Sequence, residues 1–131
     1  MLSTKCILAL RSNYDGLRIS VMSRHTLDDG VTNDPRILPS MYSLHFTSLS
    51  PPPQLIGSYL KRGLSWEDYE RRYLDHLKSP NAVSDISRII HFLNNRLNVT
   101  LLCIEETPEH CHRRLLALEI KKGYSGLIDI Q

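Results

Sequence analysis

The segment "NVTLLCIE", residues 98–105, constrains this chain more than any other. Val99, Leu101, Leu102, Cys103 and Ile104 show no polar alternation, so neither face of an extended strand here suits water. Such a strand belongs inside a sheet, covered on both faces, and the neighbouring segments offer the cover. "SDISRIIHFLNNRL" (84–97) places Ile86, Ile89, Ile90, Leu93 and Leu97 at helical spacing. Beyond the turn "ETPEH", a second helical stretch over 111–122 closes at Gly123.

The first half extends the pattern. "TKCILALRS" (4–12) and "LRISVMSR" (17–24) read as strands, with "NYDG" between them as turn chemistry and Gly16 free to take positive φ. Residues 25–40 carry two Gly/Asp/Asn/Pro clusters and no period, which predicts a long loop, and "MYSLHFTSL" (41–49) predicts another strand. "SPPPQ" starts a helix that runs through Leu55, Ile56, Tyr59 and Leu60 to a stop at Gly63. Ser65, with Asp68 three residues on, caps a further helix. Its Trp66, Tyr69, Tyr73, Leu74 and Leu77 share one apolar face, read as core. "GLIDI" would add a short edge strand. The expected fold class is α/β: one domain over 1–131, a mixed, mostly parallel sheet covered by helices.

Composition narrows the function classes. At 131 residues the chain can bury a core of its own. A net charge of +2 makes no case for nucleic acid by itself, though it permits a local basic patch. The opening apolar run, "CILAL", is too short for a signal peptide, and no run reaches the roughly 20 apolar residues of a membrane helix. The expectation is a cytoplasmic protein without membrane contact. Three cysteines are too few and too odd for a disulfide scaffold, and Cys6, within an apolar run, reads as core.

The remaining two cysteines frame the chemistry. In an α/β sheet, ligands gather beyond the C-terminal strand ends, where helices begin. Cys103 lies near such a strand end and Cys111 at the next helix start, so both thiols would face one rim. A helix N-terminus attracts anions and lowers a thiol pKa, and His112 and Arg113 would add to that effect. Cys111 is therefore the candidate thiolate. Arg113 and Arg114 oppose the dipole of a first helical turn, which points to a negatively charged partner. Four readings stay open: an anion-facing thiol site, a zinc site borrowing its fourth ligand from His25, His45 or His110, a reversible disulfide, and a packed turn without chemistry. The reading preferred among them assigns no metal. Arg24 would join the same rim if the second strand runs parallel to 98–105.

"LLCIEETPEHCHRRLLA" resembles the signature of domain-of-unknown-function family 488, in which an aliphatic strand ends in Cys, then Glu, and Cys-His-Arg opens a helix. "SNY", "ISVMSR" and "SPPPQLIGSYLKRGLSWEDYERRY" follow the family's order over most of the chain. The resemblance implies a small cytoplasmic α/β domain with fingerprint positions at Arg24, Tyr73, Cys103, Glu105, Cys111, His112 and Arg113. The longer polar loop after Arg24 sets this chain apart. Nucleic-acid-linked roles proposed for other members keep such a partner among the expectations.

Two function classes follow. As an enzyme on a phosphate- or nucleotide-containing substrate, the chain would use Cys111 as nucleophile and His112 as acid or base. Cys103 would stand beside them, Glu105 would carry protons, and Arg24, Arg113 and Tyr73 would bind the ligand. Adjacent helical side chains point about 100° apart, so His25 or His45 would serve Cys111 better as base. As a binding module, the same pocket would hold a nucleotide or nucleic-acid end without turnover. The mixed charges of "SWEDYERRYLDH" argue against a duplex-DNA stripe. Substrate, cofactor and oligomeric state stay open.

Overall fold

A computed structural model describes all 131 residues. Strand β1 is Leu2–Cys6, β2 Leu17–Ser20, β3 Leu44–His45, β4 Val99–Cys103 and β5 Ile128–Ile130. Helix α1 is Pro53–Lys61, α2 Trp66–His76, α3 Pro80–Asn94 and α4 His112–Lys121. The sheet order is β3-β2-β4-β1-β5 and every pairing is parallel. The α/β class and the interior place of β4 stand as expected. The sheet is parallel throughout, however, where a mixed sheet was anticipated. β1 and β2 do not form a hairpin: β4 lies between them, in register with Leu2 on one side and Leu17 on the other.

The two faces of the sheet are covered differently. Leu2, Ile19, Val99 and Leu101 point to a face packed by Leu55, Tyr73, Ile89, Leu93, Leu116 and Ile120, so all four helices share one side. The opposite face, where Leu102 points, is covered by loops that bring Ile7, Met22 and Ile37 over it. Those loops are held by a buried ion cluster. Asp15 bonds Lys5 at 2.6 Å and Arg18 at 2.7 Å, while Arg18 also donates to the carbonyls of Ile7, Ala9 and Met41. Burial opposes ionisation of Asp15, but its bonds from Lys5, the Ser12 amide and Arg18 prevail and hold its carboxyl well below the usual range. Gly16 takes φ +61, a conformation open to glycine, and a Cβ there would collide with the Asn98 carbonyl oxygen.

Local signals account for most element ends. The Ser65 hydroxyl accepts from the Asp68 amide at 3.1 Å, and Gly63 ends α1 with φ +74. Other segments depart from expectation: the strands expected over 4–12 and 17–24 are the shorter Leu2–Cys6 and Leu17–Ser20. The strand expected over 41–49 shrinks to Leu44–His45, between short 3-10 turns at Pro39–Met41 and Thr47–Leu49. Helix α3 starts at Pro80, four residues before the expected 84, because proline suits a first turn, and it ends at Asn94. Leu97 is accordingly exposed rather than inward. The 25–40 loop folds on itself through an antiparallel bridge, Thr26 with Asn33, and buries Asp34 and Ile37. Cys6, read as core, is half-buried, its thiol directed at the Ile104 carbonyl. No helix is long and apolar enough to cross a membrane.

Candidate functional site

Because all strands run parallel, their C-terminal ends open onto one rim, and α4 begins there. Cys103 is the last residue of β4, Cys111 is the N-cap of α4 and His112 its first residue. Glu105 follows the strand by two positions and turns back. Its Oε2 accepts from the Cys103 thiol at 2.8 Å and from the Cys111 thiol at 3.5 Å. His112 Nδ1 lies 3.8 Å from Cys103 Sγ, and its Nε2 lies 2.7 Å from the Val21 carbonyl oxygen. A carbonyl only accepts, so Nε2 carries the proton and Nδ1 presents a lone pair to the thiols. Sγ of both cysteines and a ring nitrogen of His112 all lie within 4.8 Å of one another, close enough to hold one metal ion. The sequence thus placed both thiols on one rim correctly. The fold resolves the difficulty with His112, whose ring reaches Cys103 across the turn.

The two cysteines and the histidine are buried, whereas Glu105 is exposed and joins them to solvent. The expected low-pKa thiolate at Cys111 is overturned. The neighbouring Cys103 thiol and burial push Cys111 up, outweighing His112. For His112, burial favours the neutral ring, yet the contacts with Cys111 and Val21 shift its pKa upward on balance.

The basic residues behave differently from expectation. Arg113 is fully buried and its guanidinium serves the backbone. It donates to the Glu105 carbonyl at 2.6 Å and to the Gln131 carbonyl at 3.0 Å, and it lies 3.5 Å from Cys111 Sγ. It is a brace for the site loop, not a free anion clamp. Arg24 is exposed and donates to the Gly30 carbonyl, and it is absent from the cleft lining although β2 does run parallel to β4. Strand direction alone did not decide it, because the chain after Ser20 turns before Arg24. Tyr73, expected at the ligand, is fully buried. Its hydroxyl donates to the Leu49 carbonyl at 2.7 Å and its ring packs edge-on against His112. His25 and His45 stack on each other at 4.3 Å elsewhere, bonded to Ser20 Oγ and the Met22 carbonyl, and are absent from the cleft lining.

A cleft of about 170 Å³ opens above the thiols, lined by Met22, Ile56, Tyr59, Tyr69, Glu105 and His110 among others. Its lining contains Glu105 and no arginine or lysine. One wall is a ladder of rings: Trp66 stacks on Tyr69 at 5.1 Å and on His110 at 4.7 Å, and Tyr59 tilts against Tyr69 at 4.8 Å. The reading of the α2 aromatics as core holds for Tyr73 and also for Tyr69, which is buried and at the same time lines the cleft. Tyr59, Tyr69 and His110 are the lining residues that reading missed. The available signal was the ring pair at 66 and 69 together with a histidine beside Cys111, but joining them requires α2 to dock near the 104–111 turn.

Fold and site together define an α/β domain with a buried Cys/Cys/His/Arg cluster at the end of its central parallel strand. The chain belongs to the DUF488 family: the family model described as "Active DUF488-N3 subclade" matches residues 2–123. Comparison with curated proteins and with solved structures gave no significant match.

Proposed function

We propose that this chain is a cytoplasmic enzyme that takes the planar ring of a nucleoside- or nucleotide-like substrate into the Tyr59/Tyr69/His110 cleft and moves protons through Glu105. The observation that carries the reading is the Glu105 carboxylate, bonded to the Cys103 thiol at 2.8 Å and reaching solvent at the floor of an aromatic-walled cleft. A carboxylate between two thiols and the bulk is suited to collect a proton from a reacting group and return it. Three unpaired cysteines favour a reducing compartment.

Size and charge refine the substrate. Drug-sized pockets begin at about 300 Å³, so a cleft of about 170 Å³ accommodates a single ring system. With Glu105 and neither arginine nor lysine in its lining, the cleft disfavours phosphate, so the phosphates of a nucleotide would remain outside the mouth. Membership of a subclade described as active agrees with an enzyme.

Calorimetry with nucleosides, nucleotides and inorganic phosphate, followed by mass spectrometry of the products, tests the reading. Nucleosides should bind, phosphate alone should not, and Tyr69→Ala should weaken binding about tenfold through lost stacking. Glu105→Gln should reduce turnover by about 10²–10⁴ while leaving binding within a few-fold. Phosphate binding in the cleft without nucleoside binding would refute the substrate class. Tight nucleoside binding with no turnover would instead select a non-catalytic nucleotide-binding module.

A further inference from the structure

We propose that Cys103, Cys111 and His112 form a binding site for a zinc-class divalent ion, with Glu105 in the fourth, exchangeable position facing the cleft. The three donor atoms lie within 4.8 Å of one another. Cys103 Sγ and His112 Nδ1 are 3.8 Å apart. Tetrahedral zinc, with bonds of about 2.3 Å to sulfur and about 2.0 Å to nitrogen, needs roughly 3.6 Å between such ligands. This pair is nearly at ligand spacing, and the wider ones, up to 4.8 Å, have further to close.

The surroundings of the donors favour an ion over a bare pair of thiols. The Val21 carbonyl takes the Nε2 proton of His112, the outer-shell arrangement that orients a metal-bound imidazole and leaves Nδ1 free to ligate. Tyr73 packs edge-on against the same ring and Leu49 anchors the tyrosine hydroxyl, so the imidazole has little freedom to turn away. Two thiolates and a carboxylate would carry three negative charges, which a divalent ion and the buried Arg113 guanidinium, 3.5 Å from Cys111 Sγ, cancel. A sulfur–nitrogen donor set selects zinc over magnesium or calcium.

Zinc had been considered from the sequence only with a fourth histidine. His25 and His45 are committed to their own cluster, and His110 stacks on Trp66, whereas Glu105 already bridges both thiols. Its exposure makes it the ligand a substrate atom displaces, which leaves the carboxylate free to handle protons. The balanced binding step exchanges one ion for two protons: Zn²⁺ adds to the two thiols, both S–H bonds break, and the protons leave to buffer. The inference deepens the proposed active site, yet it can fail separately from it.

The test is a titration of fully reduced, chelator-stripped protein under anaerobic conditions, first with Co²⁺ and then with Zn²⁺. Expected are one Co²⁺ per chain, thiolate-to-cobalt charge-transfer absorbance with tetrahedral d–d bands, displacement by Zn²⁺, and release of about two protons per ion at neutral pH. Cys103→Ser and Cys111→Ser should each weaken binding more than about 100-fold, and Glu105→Gln about tenfold. Reduced wild-type protein that gives no charge-transfer band overturns the site without recourse to any variant. So does cobalt binding that survives both cysteine substitutions. Nucleoside turnover by demonstrably metal-free protein would remove the ion and keep the enzyme; an ion bound in a protein that ignores nucleosides would do the reverse.

Discussion

Replacing Arg113 with methionine separates a brace from an anion clamp. Methionine keeps most of the apolar stem that packs in the core and removes the guanidinium. Two backbone carbonyls, Glu105 and Gln131, then lose a charged donor, at 2.6 Å and 3.0 Å in the native protein. Each such bond is worth about 1.5–3 kcal/mol when its donor is charged. Because both acceptors sit where water can partly replace the donor, the expected loss is about 3 kcal/mol. For a chain of this length that corresponds to a fall in Tm of roughly 10 °C. Urea denaturation followed by circular dichroism measures the loss directly, as a lower midpoint at unchanged slope. Arg113→Lys should recover only part of it, since a point charge cannot serve two carbonyls as a planar fork does. The Glu105 loop should also loosen, lowering turnover with little effect on substrate affinity. An anion clamp predicts the opposite: stability within about 0.5 kcal/mol of wild type and loss of phosphate affinity. That result would refute the structural role assigned to Arg113.

Two other perturbations test how the helix-free face is built. Asp15→Asn should cost about 3–5 kcal/mol near neutral pH by leaving Lys5 and Arg18 short of a partner. The carboxyl pKa is depressed in the folded protein, so its contribution is full above the unfolded value of about 3.9 and fades as pH falls toward the folded one. The stability gap between wild type and Asp15→Asn should therefore narrow below about pH 4, and a gap that is constant between pH 6 and 2 would contradict the account. Gly16→Ala should cost at least about 1–3 kcal/mol from its backbone conformation alone. The added Cβ must also displace the Asn98 carbonyl, so a thermal melt within a degree of wild type would show that the β1–β2 connection is placed wrongly.

The sequence determined those features that depend on neighbours along the chain. The run at 99–103 has no polar face, which makes β4 an interior strand in almost any fold it enters. Ser65 with Asp68, Pro53, Pro80 and Gly63 mark helix ends because capping and φ restriction act within one turn. Cys103, Cys111 and His112 could be placed together because only one short turn separates a strand end from a helix start. Tertiary structure decided the rest. Arginine reads as surface charge, so nothing local announces that Arg18 and Arg113 are interior braces satisfied by distant carbonyls. Tyr69 and Tyr73 share one helical stripe and both are buried, yet the docking of α2 over the 104–111 turn brings only the first to the cleft lining. The sheet order and its helix-free face arise largely from contacts between residues distant in sequence, as when the Thr100 hydroxyl meets the Asp15 carbonyl 85 positions away. Thiol ionisation belongs to the same class. A helix N-terminus would lower the pKa of Cys111, but burial beside a second thiol raises it, and burial is a property of the assembled fold.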